Sequence, residues 1–185
     1  MRKLLSLLTL TTCLVAAQVP RKAPEFVINM PDGKQVLLSN YRGKTVALAF
    51  MFTTCPHCQH TAQVLTQIQK EYAPKGVQML AATFDEGAGV RVQQFNQQFG
   101  VGFPCGYADR GAVLEFLQQP PDKPFFVPIL VFIDKKGTIR SQYIGDESFF
   151  QKQEENIRAE LDKVLKTSAA PATTTRSAAK TTPRS

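Results

Sequence analysis

The fold is decided by residues 45–58, TVALAFMFTTCPHC. Residues 45–52 are apolar on both faces of a strand, which is typical of a parallel strand covered by helices on each side. Apolar side chains then recur every three or four residues, a spacing that predicts one face of an amphipathic helix: Cys58, Ala62, Leu65, Ile68 and Tyr72. Pro56 suits the first turn of that helix, and Pro74 and Gly76 end it. Cys55 and Cys58 therefore lie where a buried strand gives way to a helix.

Two thiols separated by two residues at such a junction favour thiol-disulfide exchange. Cys55 is the predicted nucleophile, because unpaired N–H groups and the helix dipole stabilise a thiolate at a helix N-terminus. His57 is expected to add a hydrogen-bond donor or partial positive charge near that sulfur. Cys58 faces the core one turn later and is the predicted resolving thiol, which attacks the mixed disulfide and releases the substrate.

Other uses of a closely spaced Cys pair fit the sequence less well. A zinc site needs further ligands, and Cys55, Cys58 and one His form an incomplete set. Covalent haem attachment needs His directly after Cys58, where Gln59 stands. We therefore predict no metal and no cofactor, while a purely structural disulfide remains an alternative.

Most of the net positive charge of the chain comes from its two ends. Net charge is +7 over 185 residues, with 43% hydrophobic and 20% charged residues, which is typical of one globular domain. Five of the cations lie in residues 1–17 or 167–185, which contain no acid: Arg2, Lys3, Arg176, Lys180 and Arg184. Removing these five leaves +2 for residues 18–166, so no nucleic-acid surface is predicted.

The first 17 residues have the pattern of a secretory signal peptide. Arg2-Lys3 precedes an apolar stretch of 14 residues, Leu4–Ala17, which ends in small residues and predicts cleavage after Ala17. A membrane span needs about 20 apolar residues, so no stable anchor is expected, although a retained leader and acylation of Cys13 remain alternatives. The predicted location is extracytoplasmic, periplasmic or secreted, where disulfides are permitted.

The remaining elements predict a mixed sheet between helices. Residues 18–25 are predicted to be an extended lead-in. The turn Pro31-Asp32-Gly33 is then predicted to join the two strands of a β-hairpin. The other predicted strands are 77–84, 128–134 and 138–144, with helices at 90–99, 109–118 and 148–166. The fold class is α/β, a three-layer α/β/α arrangement with an N-terminal β-hairpin and a central insertion. Residues 18–166 form the predicted domain, and 167–185 a disordered low-complexity tail.

Two signatures about 70 residues apart resemble the redoxin, or AhpC/TSA-related, group of the thioredoxin-like superfamily. The first runs from residues 23–44 through 50–58, and the second is Val127-Pro128 followed by 131–137. The chain looks most like the TlpA/ResA-type thiol-disulfide oxidoreductases. The resemblance implies a thioredoxin-like fold, protein thiols or disulfides as substrates, and a redox partner protein. It also implies a cis Pro128 facing the Cys pair, with the Val127 backbone open to a substrate strand.

The direction of electron flow stays open. Reductants of this group often carry Glu three residues after the second Cys, where Thr61 stands, and the buried acid of thioredoxin is replaced by Ala49. The Pro56-His57 dipeptide and Val127 before Pro128 resemble the oxidising DsbA group. These departures leave water or His57 to accept the proton of Cys58.

Two other functions remain as alternatives. A peroxiredoxin-like thiol peroxidase would want Thr three residues before Cys55, where Phe52 stands. A copper-binding assembly factor like the Sco proteins would need three residues between the thiols and a later His. Away from the motif, Cys105 is interpreted as an ordinary semi-buried thiol, with a regulatory or second-disulfide role as the alternative, and His60 as solvated. The Asp85-Glu86 loop follows its strand on the same edge as Cys55; it is interpreted as solvated, with a place at the border of the substrate groove as the alternative.

Overall fold

A computed structural model describes residues 18–145 and 147–169 of the chain. The predicted leader, 1–17, and residues 170–185 of the predicted tail lie outside these described residues. Eight strands form a single sheet within the described part. The strands are β1 Arg21–Lys22, β2 Val27–Asn29, β3 Gln35–Leu37, β4 Thr45–Met51, β5 Val77–Thr83, β6 Cys105–Tyr107, β7 Ile129–Ile133 and β8 Thr138–Tyr143.

In the described part of the chain, four α-helices flank this sheet: α1 Pro56–Tyr72, α2 Ala88–Gln98, α3 Arg110–Leu117 and α4 Gln153–Ala169. One face of the sheet packs against apolar side chains of α1, α2 and α4. The other face packs against α3 and the N-terminal segment that contains Phe26 and Leu38. The predicted three-layer α/β/α class is confirmed.

Strand β4 is the centre of the sheet. It pairs in parallel with β5, with Ala49 opposite Ala81, and antiparallel with β7, with Ala49 opposite Leu130. Every residue of β4 is buried, as expected for a strand covered on both faces. Strand β4 is thus paired along both edges, and this pairing fixes the position at which the chain leaves the sheet after Met51.

Helix α1 follows the predicted periodicity. The apolar side chains expected on its inner face are all buried: Cys58, Ala62, Leu65, Ile68 and Tyr72. Pro56 occupies the first turn, and the chain turns into β5 through Gly76, whose φ of 80° is favourable for glycine. Packing of this inner face therefore places the N-terminus of α1 just after the C-terminal end of β4.

The N-terminal hairpin, β2–β3, lies at the edge of the sheet beside β6. Asn29 in β2 pairs with Tyr107 in β6. Gly106 makes this approach possible, because a Cβ at this position would overlap the Asn29 carbonyl oxygen and the Ile28 side chain. The hairpin is confirmed, and its place in the sheet depends on a residue far away in sequence.

Three features differ from the expectations. The predicted lead-in contains β1, which pairs with β8 through Arg21 opposite Ile139. The last predicted helix begins as a 3-10 helix, Ser148–Lys152, before α4. Helix α4 continues to Ala169, three residues into the segment whose composition predicts a tail.

Among the described residues, no helix combines the length and apolar character needed to cross a membrane.

Candidate active site

Cys55 is the N-cap residue of α1. Its backbone is extended, with φ −86° and ψ 120°, and its side chain makes no capping hydrogen bond. The Cys55 N–H donates to the Phe52 carbonyl at 3.3 Å, and Sγ lies 3.9 Å from the Val127 carbonyl oxygen. The thiol is half-buried. A sulfur in this position is both accessible and close to the positive end of the helix dipole.

Cys58 lies one turn later and is completely buried. The Phe52 N–H donates to its Sγ at 3.4 Å. Burial raises the pKa of Cys58 far above its ordinary value, and the charges of Cys55 and Asp85 raise it further, while the Phe52 hydrogen bond lowers it. Cys58 is therefore a protonated thiol at neutral pH and must lose its proton during any reaction.

The Val127–Pro128 peptide bond is cis, as the resemblance implies. It precedes β7, next to the Cys55 sulfur. The neighbouring Phe126 carbonyl accepts a hydrogen bond from the Gly145 N–H at 3.2 Å, which ties this loop to the segment after β8. The sheet thus brings the two signatures, separated in sequence, into contact.

A cavity of about 300 Å³ opens beside Pro128. Its lining includes His57, Thr61, Pro128, Glu147, Phe150 and Gln153. His57 and Pro56 are exposed at the surface. Among the described residues, no hydrogen bond joins the His57 side chain to the Cys55 sulfur, so a role of His57 in stabilising that thiolate stays a prediction.

Thr61 occupies the position where related reductants often carry Glu. Its Oγ1 lies 2.9 Å from the His57 carbonyl oxygen and 2.8 Å from the Gln153 side-chain oxygen. The side chain is completely buried. This position thus holds a neutral link between α1 and α4 and supplies no carboxylate to Cys58.

Asp85 corrects the interpretation of its loop as solvated. Only 9% of the Asp85 side chain is exposed. It accepts hydrogen bonds from Thr53 N at 2.9 Å, Thr53 Oγ1 at 2.6 Å and Arg91 Nη2 at 2.8 Å. Burial favours the neutral acid, but the hydrogen bonds from Thr53 and Arg91 outweigh it and lower the pKa of Asp85. Glu86, the other residue of the pair, is exposed as expected.

The sequence predicts the edge of the sheet on which Asp85 lies, but not the burial of its side chain. Asp85 follows β5, the parallel neighbour of β4, and the carboxyl ends of parallel strands meet at one edge of a sheet. An acid there is close to whatever follows β4, which is the segment leading to Cys55. Arg91 carries no comparable signal, because it is one of several polar residues on α2.

The remaining candidate residues lie away from the thiol pair. Cys105 is fully buried on β6 rather than semi-buried, and burial raises its pKa to about 12. His60 is exposed, as predicted. Within residues 18–145 and 147–169, no three His, Cys, Asp or Glu side chains come together as a metal site. Cys55, Cys58 and Cys105 are all free thiols.

Comparison with known proteins gives a match to the AhpC/TSA family over residues 19–142. The chain belongs to the AhpC/TSA family. Its relatives include a thiol-disulfide oxidoreductase ResA of Geobacillus kaustophilus (strain HTA426), 31% identical over 130 residues, covering 70% of this chain and 71% of the relative. A ResA of Bacillus anthracis is 29% identical over 131 residues, or 71% of this chain and 72% of the relative.

Solved structures show the same fold as this AhpC/TSA protein. A putative thiol:disulfide interchange protein DsbE from Chlorobium tepidum has a TM-score of 0.67 and 25% identity, covering 79% of this chain and 96% of that one. A putative thioredoxin from Neisseria meningitidis has a TM-score of 0.62 and 26% identity, covering 80% and 93%. The predicted ResA-like resemblance is confirmed, and so is the enzyme class: this AhpC/TSA protein is a thiol-disulfide oxidoreductase.

Proposed function

We propose that the protein is an exported enzyme that exchanges disulfides with protein thiols through Cys55 and Cys58. The observation that carries this proposal is the contrast between the two sulfurs. Cys55 is accessible at the N-terminus of α1, whereas Cys58 is fully buried behind it. A protein substrate can reach the first thiol, and the second can act only on what is bonded to the first.

The proposed reduction of a substrate disulfide has two steps. The Cys55 thiolate attacks one substrate sulfur, forming a mixed disulfide and releasing the other substrate sulfur as a thiolate, which takes up a proton. Cys58 then loses its proton and attacks Cys55 Sγ. The Cys55–Cys58 disulfide forms, and the second substrate thiol leaves. Two electrons pass to the substrate, and a redox partner protein returns them; the same steps in reverse oxidise a dithiol.

The segment at Val127-Pro128 is the proposed substrate-binding edge. An extended substrate can pair with the Val127 backbone beside Cys55, with main-chain hydrogen bonds supplying affinity. The cavity lined by His57 and Pro128 leaves room for a substrate side chain beside this edge. Pro56 and the exposed ring of His57 form part of the surface that such a substrate meets.

Export is tested by following the full chain in a Gram-negative host. Residues 1–17 are the proposed signal peptide, so we expect a periplasmic or secreted product that begins at Gln18 by N-terminal sequencing. A variant lacking residues 2–17 is the control and should remain in the cytoplasm. A product that stays in the membrane fraction with its leader intact would contradict cleavage.

The direction of electron flow is tested by the Cys55–Cys58 reduction potential in glutathione buffers. Ala49 and Thr61 stand where reductants of this kind carry a carboxyl group, and His57 lies between the two thiols, which favours a more oxidising disulfide. We therefore expect a value less negative than thioredoxin's, which is about −270 mV. A value at or below that of thioredoxin would assign the protein to the reductants, and one near DsbA's, about −120 mV, to the oxidants.

A further inference from the structure

We propose that Arg91 is a positioning residue for the step in which Cys58 resolves the mixed disulfide, acting through Asp85 and Thr53. This inference rests on the proposed function, in which Cys58 is the resolving thiol. Arg91 lies on α2, outside the motif, and nothing in the CPHC pattern points to it. Its contacts connect it to the backbone that donates to the Cys58 sulfur.

Thr53 is held by its backbone and its side chain. Its N–H donates to Asp85 Oδ1 at 2.9 Å, and its hydroxyl lies 2.6 Å from Asp85 Oδ2 and 3.0 Å from Arg91 Nε. Its carbonyl accepts from Gln59 Nε2 at 3.2 Å. Phe52, the residue before it, donates its N–H to Cys58 Sγ. Holding Thr53 therefore fixes the donor that stabilises a negative charge on Cys58.

Asp85, which holds Thr53, carries a charge that opposes ionisation of Cys58. Asp85 is ionised and mostly buried, and its negative charge disfavours a thiolate on Cys58. Arg91 compensates for it: Nη2 forms an ion pair with Asp85 Oδ2 at 2.8 Å, and the same nitrogen donates to the Glu86 carbonyl. The pair thus anchors Thr53 while leaving little net charge beside the resolving thiol.

This compensation matters most in the mixed disulfide. Cys55 is then covalently bonded and carries no charge. Asp85, with Arg91 paired to it, is a charged group that still acts on Cys58. Loss of Arg91 leaves the buried carboxylate unpaired and loosens one contact to Thr53. Both effects lower the fraction of Cys58 that is thiolate and slow its attack on Cys55.

The test uses the reduced protein and one equivalent of dithionitrobenzoate (DTNB), an aromatic disulfide. Attack by Cys55 releases a first aromatic thiolate and leaves a Cys55–aromatic mixed disulfide. Attack by Cys58 then releases the second thiolate in a unimolecular step, with one disulfide formed and one reduced in total. For Arg91→Met we expect the second rate to fall about tenfold, the effect of one pKa unit on the thiolate population, with the first rate nearly unchanged.

Three further variants separate charge from structure. Asp85→Asn combined with Arg91→Met removes the uncompensated charge and keeps an oxygen for the Thr53 N–H, so the second rate should recover toward wild type. Arg91→Lys keeps the positive charge and should react nearly as wild type. Arg140→Met is the matched control: it removes a half-buried Arg, 30% exposed, from an ion pair with the buried Asp134 at the other end of β7, and should leave both rates unchanged.

Two results of these measurements would overturn the proposed role of Arg91. An Arg91→Met protein with a wild-type second rate would overturn it. A double variant as slow as Arg91→Met, or slower, would also overturn it, because a purely structural role predicts added damage rather than recovery. If the wild-type protein itself releases only one equivalent of aromatic thiolate, the proposed role of Cys58 fails instead.

Discussion

Replacing Cys55 by Ser is expected to lower insulin reduction and oxidative refolding to the rates seen without the protein. The thiolate at the N-terminus of α1 is the group that we propose to bond to the substrate, and a serine hydroxyl cannot form a disulfide. The neighbouring thiol cannot take over, because Cys58 is fully buried and strongly disfavours ionisation. The measurement is the turnover rate in both assays at equal protein concentration.

Two further variants separate the role of Cys55 from those of the other two described thiols. Cys58→Ser keeps the proposed attacking thiol and removes the proposed resolving thiol, so it should accumulate a mixed disulfide with its substrate, visible as a shift on a non-reducing gel. Cys105→Ala removes the third free thiol, which is buried on β6, and should retain activity. Activity retained in Cys55→Ser would exclude Cys55 as the nucleophile.

Replacing Phe50 by Ala is expected to cost about 3–5 kcal/mol of unfolding free energy, the range for a large aromatic side chain removed from a core. Phe50 is fully buried on β4. Its ring packs against Phe26 at a centroid distance of 5.2 Å and against Phe116 at 5.6 Å, so it joins the N-terminal segment, the central strand and α3. Folded proteins are stable by only about 5–15 kcal/mol, so this loss removes a large part of the total.

Urea unfolding at pH 7 measures the effect of Phe50→Ala. Phe126→Ala is the control, because it deletes the same side chain from a site that is 55% exposed. Surface substitutions usually change stability by less than about 0.5 kcal/mol. Equal losses in the two variants would show that the Phe50 cluster contributes no more than an exposed ring.

The features that could be predicted from sequence are those set by local pattern. The apolar run of β4 and the three-and-four spacing after Cys58 are properties of consecutive residues, and both gave the correct element and the correct buried face. Because Cys55 and Cys58 lie between this strand and this helix in sequence, predicting the two elements also predicted the position of the thiols at their junction. The cis bond before Pro128 came from resemblance, because no local property of this segment requires it.

The features that local sequence does not predict depend on contacts between distant segments. Arg21 and Lys22 have no strand-like alternation, and β1 exists because β8 offers them a backbone to pair with. The sequence predicts a solvated Asp85 because acids in loops usually are solvated, whereas its burial follows from Thr53 and Arg91 meeting it in the fold. Neither outcome can be calculated from the residues on either side.

The two outermost strands, β1 and β3, are only two and three residues long. Unpaired strand edges are where chains add to one another and begin to aggregate, and short edges give such association little backbone to use. The long strands β4 and β5 are enclosed on both sides by neighbours. The sheet that carries the thiol pair therefore ends on both sides in margins that are poor templates for amyloid-like growth.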